Sequence, residues 1–170
     1  MTETAGGRPG GARVVPMQPD DLFEVRALAR ETGAELDVEE ELARSWARIR
    51  VARVDAQRGV AGFALAWEVA DEVHLLHLAT RASARRRGIG RALLSELVEH
   101  GRCRQARLVL LEVRRSNHAA RSLYESAGFR SVSTRRGYYA DNREDALIMM
   151  LGLDSKTQEW LTQQLPPERI

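Results

Sequence analysis

An arginine- and glycine-rich loop, residues 85–91, constrains this chain most, because it joins a strand pattern to a helix pattern. Residues 72–80 indicate an extended strand, and residues 88–101 carry apolar side chains on one helical stripe. Glycines at 88 and 90 let a ligand approach the backbone closely, and the N–H groups at a helix start attract anions. The pattern therefore predicts a pyrophosphate-binding loop. A solvated, arginine-rich helix start is the alternative.

The remaining patterns predict a mixed α/β order: strand, two helices, three antiparallel strands, helix, strand, helix, two strands. The first helix is predicted to open at residues 19–21, and the other predicted ranges are 12–17, 38–47, 49–54, 59–69, 72–80, 88–101, 107–113, 117–127, 129–134 and 146–151. Leu42 and Trp46 are spaced four apart in the second helix, and turns are expected at Arg58-Gly59 and Ala70-Asp71. Asn117 is the predicted cap of the last helix.

Length and composition favour one domain. The chain has 170 residues, of which 44% are hydrophobic, and no apolar run is long enough to cross a membrane. Its single cysteine, Cys103, excludes an internal disulfide and a cysteine-based zinc cluster. We expect a disordered leader at 1–11, which lacks the apolar centre of a secretory signal, and a domain at 12–151. The remaining tail, 152–170, is expected to form a short helix or none. A soluble, cytoplasmic protein is predicted.

The charges are segregated although their sum is only +2. Residues 20–41 hold nine acids against two arginines, whereas residues 73–95 hold five arginines and no acid. Codon bias explains why nearly all basic residues are arginine, but it does not explain their placement. If the acidic block borders the mouth of an acceptor site, it would favour a cationic acceptor. The alternative, which is at least as well supported by the sequence, is that these acids merely face solvent.

Several motifs follow one another along the second half of the chain. They are Arg85-x-x-Gly88-x-Gly90, Leu111-Glu112-Val113-Arg114, Ser116-Asn117, Leu123-Tyr124-Glu125, Gly128-Phe129, Arg135-Arg136-Gly137-Tyr138-Tyr139 and Glu144-Asp145-Ala146. This run, within residues 75–150, resembles the GNAT-superfamily N-acetyltransferases, and closely the RimI-type ribosomal-protein alanine N-acetyltransferases. The resemblance implies the GNAT fold, a mixed α/β architecture with a mostly antiparallel twisted sheet of about seven strands and about four helices.

The resemblance also implies acetyl-CoA as co-substrate and no metal. The strand end would pair with the pantetheine amides as an added strand, and the loop amides would hold the pyrophosphate. Asn117 is expected to contact the coenzyme besides capping its helix. The implied coenzyme-binding residues are Leu78, Ala79, Thr80, Arg85, Arg86, Arg87, Gly88, Ile89, Gly90, Arg91, Asn117 and Tyr124.

Two residues suit acid–base chemistry on an amine and a thioester. Glu112 ends an apolar strand, where partial desolvation favours a general base that acts directly or through a water; a salt bridge to Arg114 or Arg115 is the alternative. Glu72 is a second candidate base. Tyr124, a phenol with a pKa of ~10, suits protonation of a leaving thiolate with a pKa of ~8.5; simple packing of its ring is the alternative.

The acceptor is the least constrained part of this interpretation. Tyr138 and Tyr139 match the segment that shapes the peptide groove in such enzymes, but the Pro-Trp dipeptide common between their first two helices is absent. The expected acceptor is a protein N-terminal α-amine, with a ribosomal protein as one such partner. A lysine or small-molecule amine is the alternative acceptor, and a non-catalytic acyl-CoA-binding module is a third reading. No membrane or direct nucleic-acid binding is expected.

Overall fold

The computed structural model describes residues 11–54 and 57–164. The strands are β1 (Ala12–Pro16), β2 (Ala47–Val54), β3 (Gln57–Val69), β4 (Glu72–Thr80), β5 (Leu108–Arg114), β6 (Arg130–Arg135) and β7 (Ala146–Gly152). The helices are α1 (Leu22–Glu31), α2 (Val38–Ala43), α3 (Ile89–Cys103), α4 (His118–Ser126) and α5 (Ser155–Gln164). Short 3₁₀ turns at Pro19–Asp21 and Ala82–Ala84 precede α1 and α3.

The strands form one seven-stranded sheet in the order β1-β2-β3-β4-β5-β7-β6. Strand β4 pairs with β5 in parallel, with Glu72 opposite Leu108 and Leu75 opposite Leu111. Strand β7 pairs antiparallel with both β5 and β6. This arrangement confirms the predicted mixed α/β fold, since the order of strands and helices from β1 to β7 is the one predicted.

The chain divides into two compact units. The first contains the residues up to Leu65 together with His77–Glu96, and the second contains Ala66–Leu76 and the residues from Leu97 onward. In the first unit the fully buried side chains include Leu28 of α1, Phe63 and Leu65 of β3, and Leu93 of α3. Burial of each such side chain stabilises the fold by about 1.5–3 kcal/mol, so these residues hold α1 and α3 to their strands.

Gly62 allows a close approach within the first unit. A Cβ built there would lie 2.7 Å from the carbonyl oxygen of Ala79 and 2.8 Å from the Ile89 side chain. Any larger residue would push β3 away from the end of β4 and from the start of α3. The glycine therefore fixes the position of the segment that leads into the 85–91 loop.

The second unit is built around β5 and its neighbours. Val109, Leu111 and Met149 are almost fully buried, as are Leu97 of α3 and Leu161 of α5. Helix α4 starts at the predicted cap, because the Asn117 side-chain oxygen accepts a hydrogen bond from the Ala120 N–H at 3.1 Å. It ends before Gly128, whose φ is +92°.

Two details differ from the sequence predictions. Helix α2 ends at Ala43 rather than at 47, because Arg44 is extended (φ −83°, ψ 122°). Leu42 and Trp46 consequently form no buried stripe and are 48% and 47% exposed. The turn expected at Arg58-Gly59 is wrong, since both residues lie within β3. The tail contains α5, so the described residues form five helices instead of about four.

Candidate active site

The 85–91 loop lies in the first unit, between a 3₁₀ turn and α3. Its left-handed residues are Arg86 (φ +63°) and Gly88 (φ +79°), and helix α3 begins directly afterwards at Ile89. Ala84 and Ile89 are buried on either side, so the loop is anchored at both ends, while Arg85, Arg86, Arg87 and Arg91 are exposed. The first N–H groups of α3 have no partner within the helix itself. Positive charge and a helix start therefore coincide here, as an anion site requires.

The end of β4 is held firmly beside β3. The Arg81 N–H donates to the Ala61 carbonyl at 2.9 Å, and its Nε–H donates to the Val60 carbonyl at 3.1 Å. Arg81 also lies 3.5 Å from the Glu24 carboxylate. The parallel ladder with β5 runs from Glu72 to Leu75, so the three residues proposed to pair with pantetheine, Leu78, Ala79 and Thr80, follow it along β4.

Glu112 lies in β5 of the second unit, opposite Ile148 of β7. Its side chain is 30% exposed, and its carboxylate accepts a hydrogen bond from Arg135 at 2.6 Å. The pKa of Tyr138 is raised, chiefly because its hydroxyl interacts with this carboxylate. The salt bridge considered for Glu112 is thus present, but its partner is Arg135 and not Arg114 or Arg115.

Tyr124 lies in α4 and is 6% exposed. Its ring packs 5.8 Å from the Phe129 ring, and burial raises its pKa to about 12. Because a thiol titrates near ~8.5, complete proton transfer from this phenol to a thiolate would cost about 5 kcal/mol in the resting site. The pKa values of this acid and of the leaving thiol are therefore further apart than the sequence suggested. The hydroxyl nevertheless stays protonated and can donate a hydrogen bond.

The segment between β6 and β7 presents Tyr138 and Tyr139. The two rings lie edge to face, 5.2 Å apart. The Arg114 guanidinium lies 3.8 Å from the centre of the Tyr139 ring and donates to Asp141 at 2.9 Å. Glu144 fixes the same segment, because its carboxylate accepts from the Ser116 N–H at 2.7 Å. The tyrosines expected to shape the acceptor groove are therefore held by several contacts.

Burial raises the pKa of Tyr139 most strongly, and the Arg114 cation opposes that change. The pKa of Glu144 moves the other way, to about 2, chiefly because Ser116 hydrogen-bonds its ionised form. At neutral pH a charged carboxylate and a neutral phenol consequently face the same arginine. The structure thus brings together Glu112, Tyr138 and Tyr139. Tyr139 also contributes electrostatically to the raised pKa of Tyr124.

Other candidate groups have structural partners. Glu72 is bound by Arg107, and His74 contacts it at 2.8 Å, so the second candidate base serves an ion-pair cluster. Cys103 is exposed at the end of α3, with its sulfur 3.9 Å from Glu99. Burial lowers the pKa of His77, which favours its neutral form despite the nearby charge of Glu41.

The acidic block of residues 20–41 is largely neutralised by arginines of the first unit. Asp21 is buried against Arg53, and Glu39 pairs with Arg26 at 2.7 Å. Arg44 contacts both Glu40 and Glu41. These four acids therefore bind arginines and do not merely face solvent.

Sequence reasoning missed the roles of Arg114 and Arg135. Both stand opposite Ala146, because β7 lies between β5 and β6. Arg114 follows Glu112 closely on β5, but Arg135 is 23 residues from Glu112 in the sequence, and only the strand order brings it to the carboxylate. The motif Arg135-Arg136-Gly137-Tyr138-Tyr139 was the available signal, but it does not say which arginine faces the carboxylate.

The comparisons with known proteins agree with this fold. The model of the acetyltransferase (GNAT) family matches residues 20–129, which is more than half of the chain. The chain belongs to the GNAT family. An Escherichia coli K12 relative named ribosomal protein bS18-alanine N-acetyltransferase is 46% identical over 94 residues, covering 54% of this chain and 64% of the relative. The match thus spans slightly less than two thirds of that relative's length.

Solved structures of GNAT proteins have the same fold. The ribosomal-protein-S18-alanine N-acetyltransferase from Escherichia coli is 32% identical, with a TM-score of 0.74 over 84% of this chain and 94% of that one. Arabidopsis thaliana NAA60 in complex with acetyl-CoA is 22% identical, with a TM-score of 0.75 over 84% and 98% of the two chains, and is a likeness of fold alone.

Within residues 11–54 and 57–164, which the structure describes, no helix is long and apolar enough to cross a membrane. The His, Cys, Asp and Glu side chains of these residues form no group of three that could hold a metal ion.

Proposed function

We propose that this GNAT protein is an acetyl-CoA-dependent N-acetyltransferase that acts on the α-amine of a protein N-terminus. A ribosomal protein is the acceptor we favour, since the Escherichia coli relatives are named for that substrate. The observation that carries the proposal is the partly buried carboxylate of Glu112 beside the Tyr138 hydroxyl. This carboxylate would serve as the base for an ammonium group, next to the segment expected to bind the acceptor.

The coenzyme would be held mainly by the first unit. The exposed arginines of the loop, Gly88 in its left-handed conformation and the start of α3 suit a pyrophosphate. The backbone of Leu78, Ala79 and Thr80 would pair with the pantetheine amides, and an N–H of this strand end would polarise the thioester carbonyl. Asn117 and Tyr124 would add coenzyme contacts. Acetyl-CoA supplies an activated acetyl group when bound.

Glu112 would remove one proton from the acceptor's ammonium group. The N–H bond breaks, an O–H bond forms on the carboxylate, and the electron pair stays on nitrogen, which can then attack the acetyl carbon. Tyr124 would donate a hydrogen bond to the departing sulfur. Since its pKa of about 12 makes full ionisation costly, we expect Tyr124 to pass its proton to the sulfur only as it gains the second proton, which the attacking nitrogen loses when the amide forms and the C–S bond breaks.

Substitution of the two proposed catalytic residues tests their roles. Glu112→Gln and Tyr124→Phe preserve the shape of each side chain while removing the base and the donor. We expect turnover on a peptide with a free N-terminus to fall by about 10²–10⁴-fold for Glu112→Gln, while acetyl-CoA affinity stays within a few-fold. Unchanged turnover in both variants would contradict the assignment.

A second pair of peptides tests the acceptor class. One peptide carries a free α-amine and no lysine, and the other has a blocked N-terminus and free lysines. The proposed function predicts acetylation of the first peptide. Acetylation of the blocked peptide alone would instead make the chain a lysine acetyltransferase.

A further inference from the structure

The ion pair between Arg135 and Glu112 occupies the proposed base in the resting protein. Arg135 Nη1 lies 2.6 Å from Glu112 Oε1, and the arginine side chain is 53% exposed. Its guanidinium also lies 5.2 Å from the centre of the Tyr138 ring. An exposed ion pair is weak, generally contributing below about 1 kcal/mol, so this contact can exchange readily.

A guanidinium bound to Glu112 Oε1 competes with an ammonium group for the same oxygen, so an acceptor can bind at Oε1 in that position only after Arg135 moves away. The groups that face Glu112 are Arg135 from β6, and Tyr138 and Tyr139 from the following segment. Arg114 is two residues further along β5, but it is engaged with Tyr139 and Asp141. Among these neighbours, Arg135 alone is a cation bound to Glu112.

We propose that Arg135 is a positioning residue that the acceptor's ammonium group displaces from Glu112. This inference rests on the proposed function. The exchange replaces one cationic donor by another, so the carboxylate keeps a partner throughout. The displaced guanidinium remains near the face of the Tyr138 ring, which attracts cations. The ammonium proton then passes to Glu112, leaving the nitrogen electron pair free to attack.

The proposal predicts that Arg135 competes with the acceptor. In Arg135→Gln the KM for a free-amine peptide should fall by about two- to fivefold, the range expected for loss of an exposed competing ion pair. Arg135→Lys keeps a cation and should retain a KM close to that of the wild type. Arg136→Gln, at the neighbouring exposed position, is the matched control and should leave KM unchanged.

Chemical rescue provides a measurement that a purely structural arginine would not affect. Guanidinium chloride, at the highest concentrations that leave the variant folded, should raise the KM of Arg135→Gln towards the wild-type value, while sodium chloride at equal ionic strength should not. Thermal unfolding of each variant confirms that it is folded. An unchanged or a higher KM in Arg135→Gln would overturn the proposal. A higher KM that is seen only for peptides with an acidic second residue would overturn it as well. If the wild-type protein acetylates no amine, the proposed function itself fails.

Discussion

The guanidinium of Arg114 lies over the Tyr139 ring, 3.8 Å from its centre, and pairs with Asp141 and Glu144 of the same segment. Strand β5 therefore holds the connection between β6 and β7 from one side, next to Glu112. A cation over an aromatic face contributes about 0.5–1 kcal/mol where it is exposed. The carboxylates add charge-assisted hydrogen bonds to that contribution.

Removal of this contact should affect stability and acceptor binding together. For Arg114→Gln we expect a loss of about 1 kcal/mol in the free energy of unfolding, together with a higher peptide KM. Urea unfolding and steady-state kinetics measure the two effects. Arg115→Gln is the control, because Arg115 is 65% exposed and contacts Asp145 at 3.5 Å. Equal losses in both variants would show that the stacking on Tyr139 contributes nothing specific.

Glu144 should make stability depend on acid. Its pKa is lowered from 4.5 to about 2, so between these values the unfolded chain binds a proton that the folded chain does not. The stability that Glu144 contributes is therefore present above pH 4.5 and is lost as pH falls towards 2. Urea midpoints of the wild type and Glu144→Gln should converge over that window. A difference independent of pH would contradict this role.

Tyr124 should produce the opposite dependence, at alkaline pH. With a folded pKa of about 12 and an ordinary value of 10, its contribution is constant below pH 10 and is lost between pH 10 and 12. Ultraviolet titration should show that Tyr124→Phe removes the tyrosine transition near pH 12. Loss of a transition near pH 10 instead would mean that the Tyr124 hydroxyl is exposed to water.

Gly88 should be needed for coenzyme binding beyond its effect on stability. Gly88 and Gly33 have similar φ values, +79° and +72°, and a Cβ at either position would meet nothing within 4 Å. An alanine at either position should therefore cost about 1 kcal/mol in backbone strain. Only Gly88→Ala should weaken acetyl-CoA binding, measured by calorimetry. Equal binding by both variants would exclude the 85–91 loop as the coenzyme site.

Local patterns predicted most of the fold because their signals are contained in short segments. The Asn117 cap, the stop at Gly128 and the stripe that begins at Ile89 each depend on neighbours within a few residues. The end of α2 was predicted wrongly, because there the local spacing of apolar residues was misleading. Trp46 has helical spacing from Leu42, but the chain already turns towards β2 at Arg44.

The site was harder to predict because its contacts cross strands. Glu112 was identified by its position at the end of an apolar strand, whereas its partner Arg135 follows from the insertion of β7 between β5 and β6. Likewise, the pKa of Tyr124 depends on burial by residues distant in sequence. The sequence shows the chemical type of each side chain, but which side chains contact one another depends on the order of the strands in the sheet.

One measurement tests the central claim most directly. A single peptide with a free α-amine and an internal lysine is incubated with the protein and acetyl-CoA, and the acetylated atom is mapped by tandem mass spectrometry. The account predicts that the acetyl group lies on the N-terminal nitrogen, at a rate that Glu112→Gln greatly reduces. Acetylation on the lysine alone, or at the same rate in Glu112→Gln, would contradict it.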